Sequence, residues 1–389
     1  MKKTPLRAVA AACIVAAGFL FVGGVFATSL TEKDAADRDY IEYWAAEHQF
    51  VHGESPYDND AMDRIETAAG MTRDQTLISL SPPVALFFGL PLGLLSAKAG
   101  LIVWLLALFA NLAASLWLVW RMHGCPDTLL YLFAFLFAPA VMCLKAGQIG
   151  IFLLLAIVLF LYLHKSRPFL AGAALLPCAL KPHLFLPVVV ALLLWEVTQK
   201  SFRVVAGFAA MLVASCGLTY LYDRNVWLDY RQLVHSGVME QFVPTPSSAL
   251  RFLIDRNGSW VQFVPEMACC VWAAWYFWTR RKVWDWRDHG LLLILMSLAT
   301  APYAFFTDES IVLPAVLAGL IQAMNRKRSL VPIALIALGA LIEVFNGVQI
   351  ISPYYLWTTP AWIAWYLYAT WGACAPSDAN RDNAVAVAD

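Results

Sequence analysis

Long apolar runs joined by short polar links set the pattern of this chain. They occupy 8–29, 100–120, 128–146, 149–164, 168–181, 183–197, 204–222, 260–279, 290–306, 310–325, 330–350 and 356–372. A helix crossing a bilayer needs about 20 apolar residues, because each adds about 1.5 Å to a path of roughly 30 Å. Most of these runs reach or approach that length. Basic clusters punctuate them at Lys2-Lys3, His164-Lys165-Ser166-Arg167, Lys200 with Arg203, Arg280-Arg281-Lys282 and Arg326-Lys327-Arg328. The positive-inside bias places these clusters on the cytoplasmic side, and the runs between them alternate consistently with one exception. The run 82–96 would break the alternation if it crossed. It is short and interrupted by Gly89, Pro91 and Gly93, so it is expected to be a re-entrant or surface-lying helix on the outer side. The expected fold is an all-α polytopic membrane protein, a single membrane domain over 1–374 with about 12 transmembrane helices and both termini inside. The polar tail 375–389 is expected to be a disordered cytoplasmic segment.

Composition agrees with that class. Hydrophobic residues make up 61% of the chain and charged residues 14%, and the mean hydropathy is +0.65. A soluble domain carries about a quarter charged residues. The formal net charge is zero, which gives no footprint for nucleic acid. The start of the chain imitates a secretory signal, with Lys2, Lys3 and Arg7 ahead of an apolar run ending Val25-Phe26-Ala27. That run is long for a signal core and is read as an uncleaved first span. Cys13, Cys143, Cys178, Cys216, Cys269 and Cys270 fall in spans, and Cys125 and Cys374 near the cytoplasmic side. They are read as small buried hydrophobes, with neither a disulfide framework nor metal-ligand spacing.

Charge collects in two outer loops, about 30–99 and 223–259. The first is acidic, with Asp37, Asp39, Glu42, Glu47, Glu54 and Asp58 among its carboxylates. The second is mixed and carries Arg251 and Arg256. A helix is expected over 37–51. At helical spacing Tyr40, Tyr43, Trp44 and Val51 share one face, while Asp39, Glu42 and His48 point to other sides, an amphipathic arrangement suited to the membrane interface. Asp39 is open to two readings there: an ordinary N-cap or a working carboxylate.

The order of short motifs then resembles a known family. Asp39-Tyr40, Tyr43-Trp44-Ala45-Ala46, Gly53-Glu54-Ser55-Pro56-Tyr57-Asp58 and Ser81-Pro82-Pro83 follow one another as in glycosyltransferase family 87. So do Gly147-Gln148, Ala171-Gly172, Lys181-Pro182 and Ala301-Pro302-Tyr303 leading to Asp308 and Pro314. That family is similar to the polyprenyl-phosphate-mannose-dependent mannosyltransferases of the GT-C fold. The resemblance implies a GT-C-type bundle with an outer catalytic loop, and Asp39 as the catalytic base. The chain departs from the pattern at three places. Ser81 precedes the double proline where an aromatic is common. Gly150 stands where an asparagine often follows Gly-Gln. The stretch 303–310 lacks the histidine that some mannosyltransferases carry there.

The implied reaction moves a hexose, mannose by the resemblance, from a polyprenyl-phosphate donor to a glycan, glycolipid or other envelope acceptor outside the cytoplasm of an inner-membrane protein. A carboxylate takes the acceptor proton and cations neutralise the departing phosphate. No cofactor is expected beyond the donor lipid, and a divalent cation is left open. Lys145 and Lys181, each at the end of an apolar run, are candidates for the phosphate, with His183 beside the second. Gln148 and Asp308 are candidates for sugar hydroxyls, and Asp308 with Glu309 is also a candidate for a cation shared with Asp39. Each has a plainer reading: a snorkelling lysine, an interhelical hydrogen bond, a solvated turn. A transporter or flippase is the competing class, although no internal repeat links the two halves. A catalytically inactive assembly partner is the third possibility.

Overall fold

The computed structural model describes residues 30–72, 77–235, 243–328, 330–344 and 352–371. The first expected span with its signal-like end, the tail, the last part of the run 330–350, and Cys13 and Cys374 lie outside the described residues. Those described form helices and no strand. In chain order the α-helices are α1 (Glu32–Ala36), α2 (Tyr40–Val51), α3 (Asn59–Ala68), α4 (Leu86–Gly93), α5 (Ala97–Met122), α6 (Ala138–Ala146), α7 (Gly150–Leu163), α8 (Pro168–Ala173), α9 (Leu186–Gln199), α10 (Arg203–Tyr222), α11 (Val226–His235), α12 (Pro246–Ile254), α13 (Val264–Arg280), α14 (His289–Thr300), α15 (Leu313–Asn325), α16 (Leu330–Val344) and α17 (Thr358–Thr370).

Three helical stretches are long and apolar enough to cross a membrane: Ala97–Met122, Arg203–Tyr222 and Phe306–Asn325. The last is a 3₁₀ turn, Phe306–Val312, running into α15. Other expected runs contain apolar helices that are shorter or broken, and proline is the recurrent reason. The run 128–146 divides at Phe137, where the backbone turns extended just before Pro139 opens α6. The run 168–181 divides between α8 and a 3₁₀ turn with Pro177 near its start. Proline lacks the N–H that would continue the helical ladder.

The run 82–96 forms a 3₁₀ turn at Pro83–Ala85 and then α4, with Pro91 inside it. At 8 residues α4 is about 12 Å long, well short of a bilayer. It lies against α2 with backbones nearly touching. A Cβ at Gly93 would run into the backbone of Glu47, and one at Gly89 into the Glu47 side chain. This contact corrects the expected amphipathic α2. Tyr40, Ile41, Tyr43, Trp44, Ala45, Ala46, Glu47, Gln49 and Phe50 are all buried, so protein surrounds the helix and no broad face is left for an interface. Local periodicity does not carry this, because much of the cover comes from α4 and α5, farther along the sequence, in addition to the neighbouring α3.

Candidate active site

Asp39 opens α2 without capping it. Its backbone is already helical and its side chain makes no cap hydrogen bond. Instead the carboxylate turns across the bundle and accepts a 3.1 Å hydrogen bond from Gln148 Nε2. The other end of that amide accepts 2.8 Å from the Tyr43 hydroxyl. Tyr43 therefore joins the Asp39 side of α2, one turn along, rather than pointing away. The two bonds fix which way the Gln148 amide faces.

The α6–α7 corner delivers Gln148. Gly147 adopts φ +74° at the end of α6, a left-handed conformation that glycine takes without a Cβ penalty. A side chain here would also strike Tyr40. Trp104 Nε1 donates 2.7 Å to the Gly147 carbonyl, and its ring stacks on Tyr43 with centroids 5.5 Å apart. Arg38 donates to the carbonyl of Lys145. The corner is thus held from α2 and α5 at once. Lys145 itself is exposed on this corner, and the contact it makes with Arg38 is through its carbonyl.

The neighbouring acid has a different occupation. One oxygen of Asp37 accepts from the Thr72 amide at 3.0 Å and the Thr72 hydroxyl at 2.9 Å, so it ties down the loop beyond α3.

Lys181 and Asp308 meet across the bundle. The ammonium lies 2.7 and 2.9 Å from the two carboxylate oxygens, and Asp308 is fully buried. Asp308 also accepts 3.0 Å from the Phe305 amide, and the ammonium sits 5.4 Å from the centre of the Phe305 ring. The departure at Gly150 has a local cause here. A Cβ at 150 would press on the Thr307 carbonyl and the Ser310 hydroxyl, so its absence lets the 3₁₀ turn seat against the start of α7. Glu309 is buried and occupied, accepting 2.5 Å from Thr358 and 2.7 Å from Trp362 Nε1. It is neither a solvated turn acid nor turned toward Asp39. Among the described residues no group of three or more His, Cys, Asp or Glu is arranged to hold a metal ion. His183 lies tilted against Tyr303 with centroids 3.5 Å apart, and neither ring nitrogen has a hydrogen-bond partner.

Glu42 and Tyr43, noted in the sequence only as part of an acidic loop and a motif, lie beside Asp39 here. Glu42 is one turn after Asp39, and its partly covered carboxyl is pushed up to about 8. Burial is the main cause and the Asp39 charge the second; the Tyr43 hydroxyl and Lys181 oppose them, and Glu66 adds a smaller upward push. The i, i+3 spacing of Asp39 and Glu42 is a signal that the sequence does hold, because it puts both on one helix face.

The outer-loop motifs lock together beside this cluster. Tyr57 donates 2.9 Å to the Ser81 carbonyl, joining the Gly53–Asp58 motif to the double proline. Ser55 donates 2.6 Å to Asp229 on α11. Between them is an open cavity of about 390 Å³ edged by Tyr57, Asp58, Asn59, Asp229 and Gln232; Asp39 and Lys181 are not part of its wall. Arg251 of the second outer loop is buried and donates 3.0 Å to Gln262. Ala171-Gly172 turns out to be a packing motif, since a Cβ at Gly172 would collide with the Val204 carbonyl of α10.

Helices apolar enough to cross a bilayer, together with the Asp39–Gln148 and Lys181–Asp308 contacts between distant parts of the chain, define a membrane protein with a covered polar site. Comparison with known families gives the chemistry: residues 80–300 match glycosyltransferase family 87. The match spans more than half the chain, and the protein belongs to that family; it is a membrane glycosyltransferase. No curated protein and no solved structure matches it.

Proposed function

We propose that this glycosyltransferase moves a hexose, mannose by family resemblance, from a polyprenyl-phosphate donor to an extracytoplasmic acceptor, with Asp39 as general base. The reading includes a GT-C-type bundle of about 12 spans in an inner membrane, its acid cluster outward. The observation that carries it is the pairing of two separately built halves. One is a carboxylate held by Gln148, the other a half-buried ammonium held by buried Asp308.

In the proposed step the acceptor hydroxyl attacks the anomeric carbon and its proton passes to Asp39. The bond from that carbon to the phosphate oxygen breaks, and its electron pair leaves with the polyprenyl phosphate, which gains one negative charge. Lys181 faces that charge. Asp308 already accepts two of its bonds, so the lysine is pre-positioned rather than recruited. A single displacement inverts the anomeric centre. His183, with two unfilled ring nitrogens next to Lys181, supports a role at the phosphate. Exposed Lys145 fits an approach role better than a buried clamp.

The test is the purified protein in liposomes with labelled polyprenyl-phosphate mannose and a panel of glycolipid acceptors. Transfer of label to an acceptor supports the reading. Movement of the lipid between leaflets without transfer makes the protein a flippase, and neither activity makes it an assembly partner.

A further inference from the structure

Two stretches of chain, joined by a contact between residues 174 positions apart, close on one cavity away from Asp39 and Lys181. One is the loop from Gly53 into α3, the other is α11. Where they meet, Ser55 donates 2.6 Å to Asp229 Oδ2. Asp58 uses Oδ1 to cap α3, accepting 3.0 and 3.1 Å from the amides of Asp60 and Ala61. Tyr57 is buried in the wall, with its hydroxyl donated to the Ser81 carbonyl. The walls are therefore fixed before anything binds. At about 390 Å³ the space suits a small ligand. Much of its polar lining is unused. The second carboxylate oxygens of Asp58 and Asp229, and the carboxamides of Asn59 and Gln232, make no hydrogen bond with any described residue. Among the described residues that line it there is no Lys, Arg or His.

That lining selects a ligand. It has no cation to meet a phosphate or a uronate, and its two carboxylates repel one. A carboxylate only accepts hydrogen bonds, whereas a carboxamide both donates and accepts. A sugar hydroxyl also does both, so it can donate to Asp58 or Asp229 and accept from Asn59 or Gln232. A bare metal ion would use the acceptors alone and leave the amide N–H groups unmet. We propose that the cavity is a glycan subsite, which takes an uncharged hexose unit of an oligosaccharide acceptor away from its reacting end. The acceptor role rests on the proposed function, whereas the affinity for neutral glycan does not. α2, 12 residues and about 18 Å long, separates Asp39 from the loop at Gly53. No single hexose fills both places, so the acceptor carries several sugars. Contacts made this far from the reacting atoms are the same in ground and transition states, and they lower KM without raising kcat.

The probes are mannotetraose and maltotetraose, both uncharged, with tetragalacturonate as the anionic counterpart. Each is titrated into the whole protein in nanodiscs. A neutral tetrasaccharide should bind, and tetragalacturonate should not at the same concentration. Asn59→Ala combined with Gln232→Ala removes two exposed carboxamides, so the melting temperature should hold. Affinity for the neutral glycan should fall about tenfold, as expected for two lost hydrogen bonds. In liposomes the double variant should raise KM about tenfold for a glycolipid acceptor headed by that tetrasaccharide, with kcat and donor affinity unchanged. A merely structural role would lower kcat and melting temperature as well. If the wild type transfers sugar but binds neither neutral tetrasaccharide, the proposal is wrong and the proposed function stands. Equal affinity in the wild type and the double variant, or preference for tetragalacturonate, would overturn it in the same way. If neutral glycan binds, the double variant weakens it and no sugar is ever transferred, the subsite stands and the proposed function falls.

Discussion

The two ends of α7 are built from similar residues and do opposite things. At its Leu163 end, Asp285 accepts 2.5 Å from Lys165 and 2.9 Å from the Arg287 amide, with His164 4.0 Å away. Arg287 donates 3.1 and 3.2 Å to the last carbonyls of α7, at Leu161 and Tyr162. Burial works to raise the Asp285 carboxyl, yet the bonds from Lys165 and the Arg287 amide hold it below the usual range. Acid and bases here satisfy one another and the helix terminus, which is how a joint is closed. At the Gly150 end, about 21 Å away along a 14-residue helix, Lys181 pairs with buried Asp308 and Asp39 accepts from Gln148, each contact joining distant parts of the chain rather than closing the helix terminus. The difference teaches where chemistry belongs. Charges that close on a helix terminus fix structure, whereas polar groups held across the bundle in a covered place cost stability and are retained at working sites.

The strongest way to break this comparison is Asp39→Asn. The amide keeps the shape and can still meet Gln148, but it cannot accept a proton. Losing a general base slows a reaction by about 100- to 10,000-fold, so transfer should nearly vanish while donor binding persists. Asp37→Asn is the matching control. Its carboxylate holds Thr72 rather than facing the site, so its loss should loosen a loop and leave most turnover. Transfer rates in liposomes at equal protein decide between them. Normal turnover by the Asp39 variant would sink the base assignment.

Lys181 gives the next effect. Lys181→Ala leaves Asp308 buried without its cation, and removing one partner of a buried pair costs about 3–5 kcal/mol. Donor affinity and melting temperature should both drop. The double variant Lys181→Ala with Asp308→Asn removes the stranded charge, so it should regain stability without regaining donor affinity. Recovery of both would make the pair purely structural. Lys181→Arg should recover part of each, because its planar fork does not match a site shaped for a compact ammonium.

Much of the site is legible in the amino-acid sequence. Asp39, Gln148, Lys181 and Asp308 stand out because a polar residue at the edge of an apolar run needs an explanation, and the fold joins them in two pairs. What the sequence hides is each residue's partner. Gln148 lies 109 positions from Asp39 and Asp308 lies 127 from Lys181, so no local periodicity links them. Helical spacing puts Tyr43 on the wrong side of its helix because α2 is covered all round, and an all-covered helix has no amphipathic signal to read. The family match covers 80–300, which leaves Asp39 and Asp308 outside it. Several helices, such as those in the runs 128–146 and 168–181, are also shorter than the apolar runs, because hydrophobicity sees a span whole while proline cuts it.

Gly150 offers a subtler disturbance. Adding one methyl, Gly150→Ala, places a Cβ against the Thr307 carbonyl and forces the Asp308 turn outward. Overpacking of this kind costs about 1–3 kcal/mol. The melting temperature should fall modestly, while transfer should fall further than stability predicts, because the shift separates Asp308 and Lys181 from Asp39. Equal losses in this variant and in a destabilised control remote from the site would mean that the turn has no part in aligning the two halves.

The smallest effect belongs to the other end of α7. Lys165 is largely exposed, at 61% of its side-chain surface, so its bond to Asp285 is screened by water and ions. Such pairs contribute about 0–1 kcal/mol. Lys165→Ala should therefore shift the melting temperature slightly and leave both donor affinity and transfer at wild-type levels. Asp285→Asn should do somewhat more, because it also weakens the bond to the Arg287 amide that holds the next helix in place. A loss of transfer in Lys165→Ala as large as in Lys181→Ala would erase the contrast between the closed end and the open one. It would require the substrate path to run the full length of α7 rather than to stop at its start.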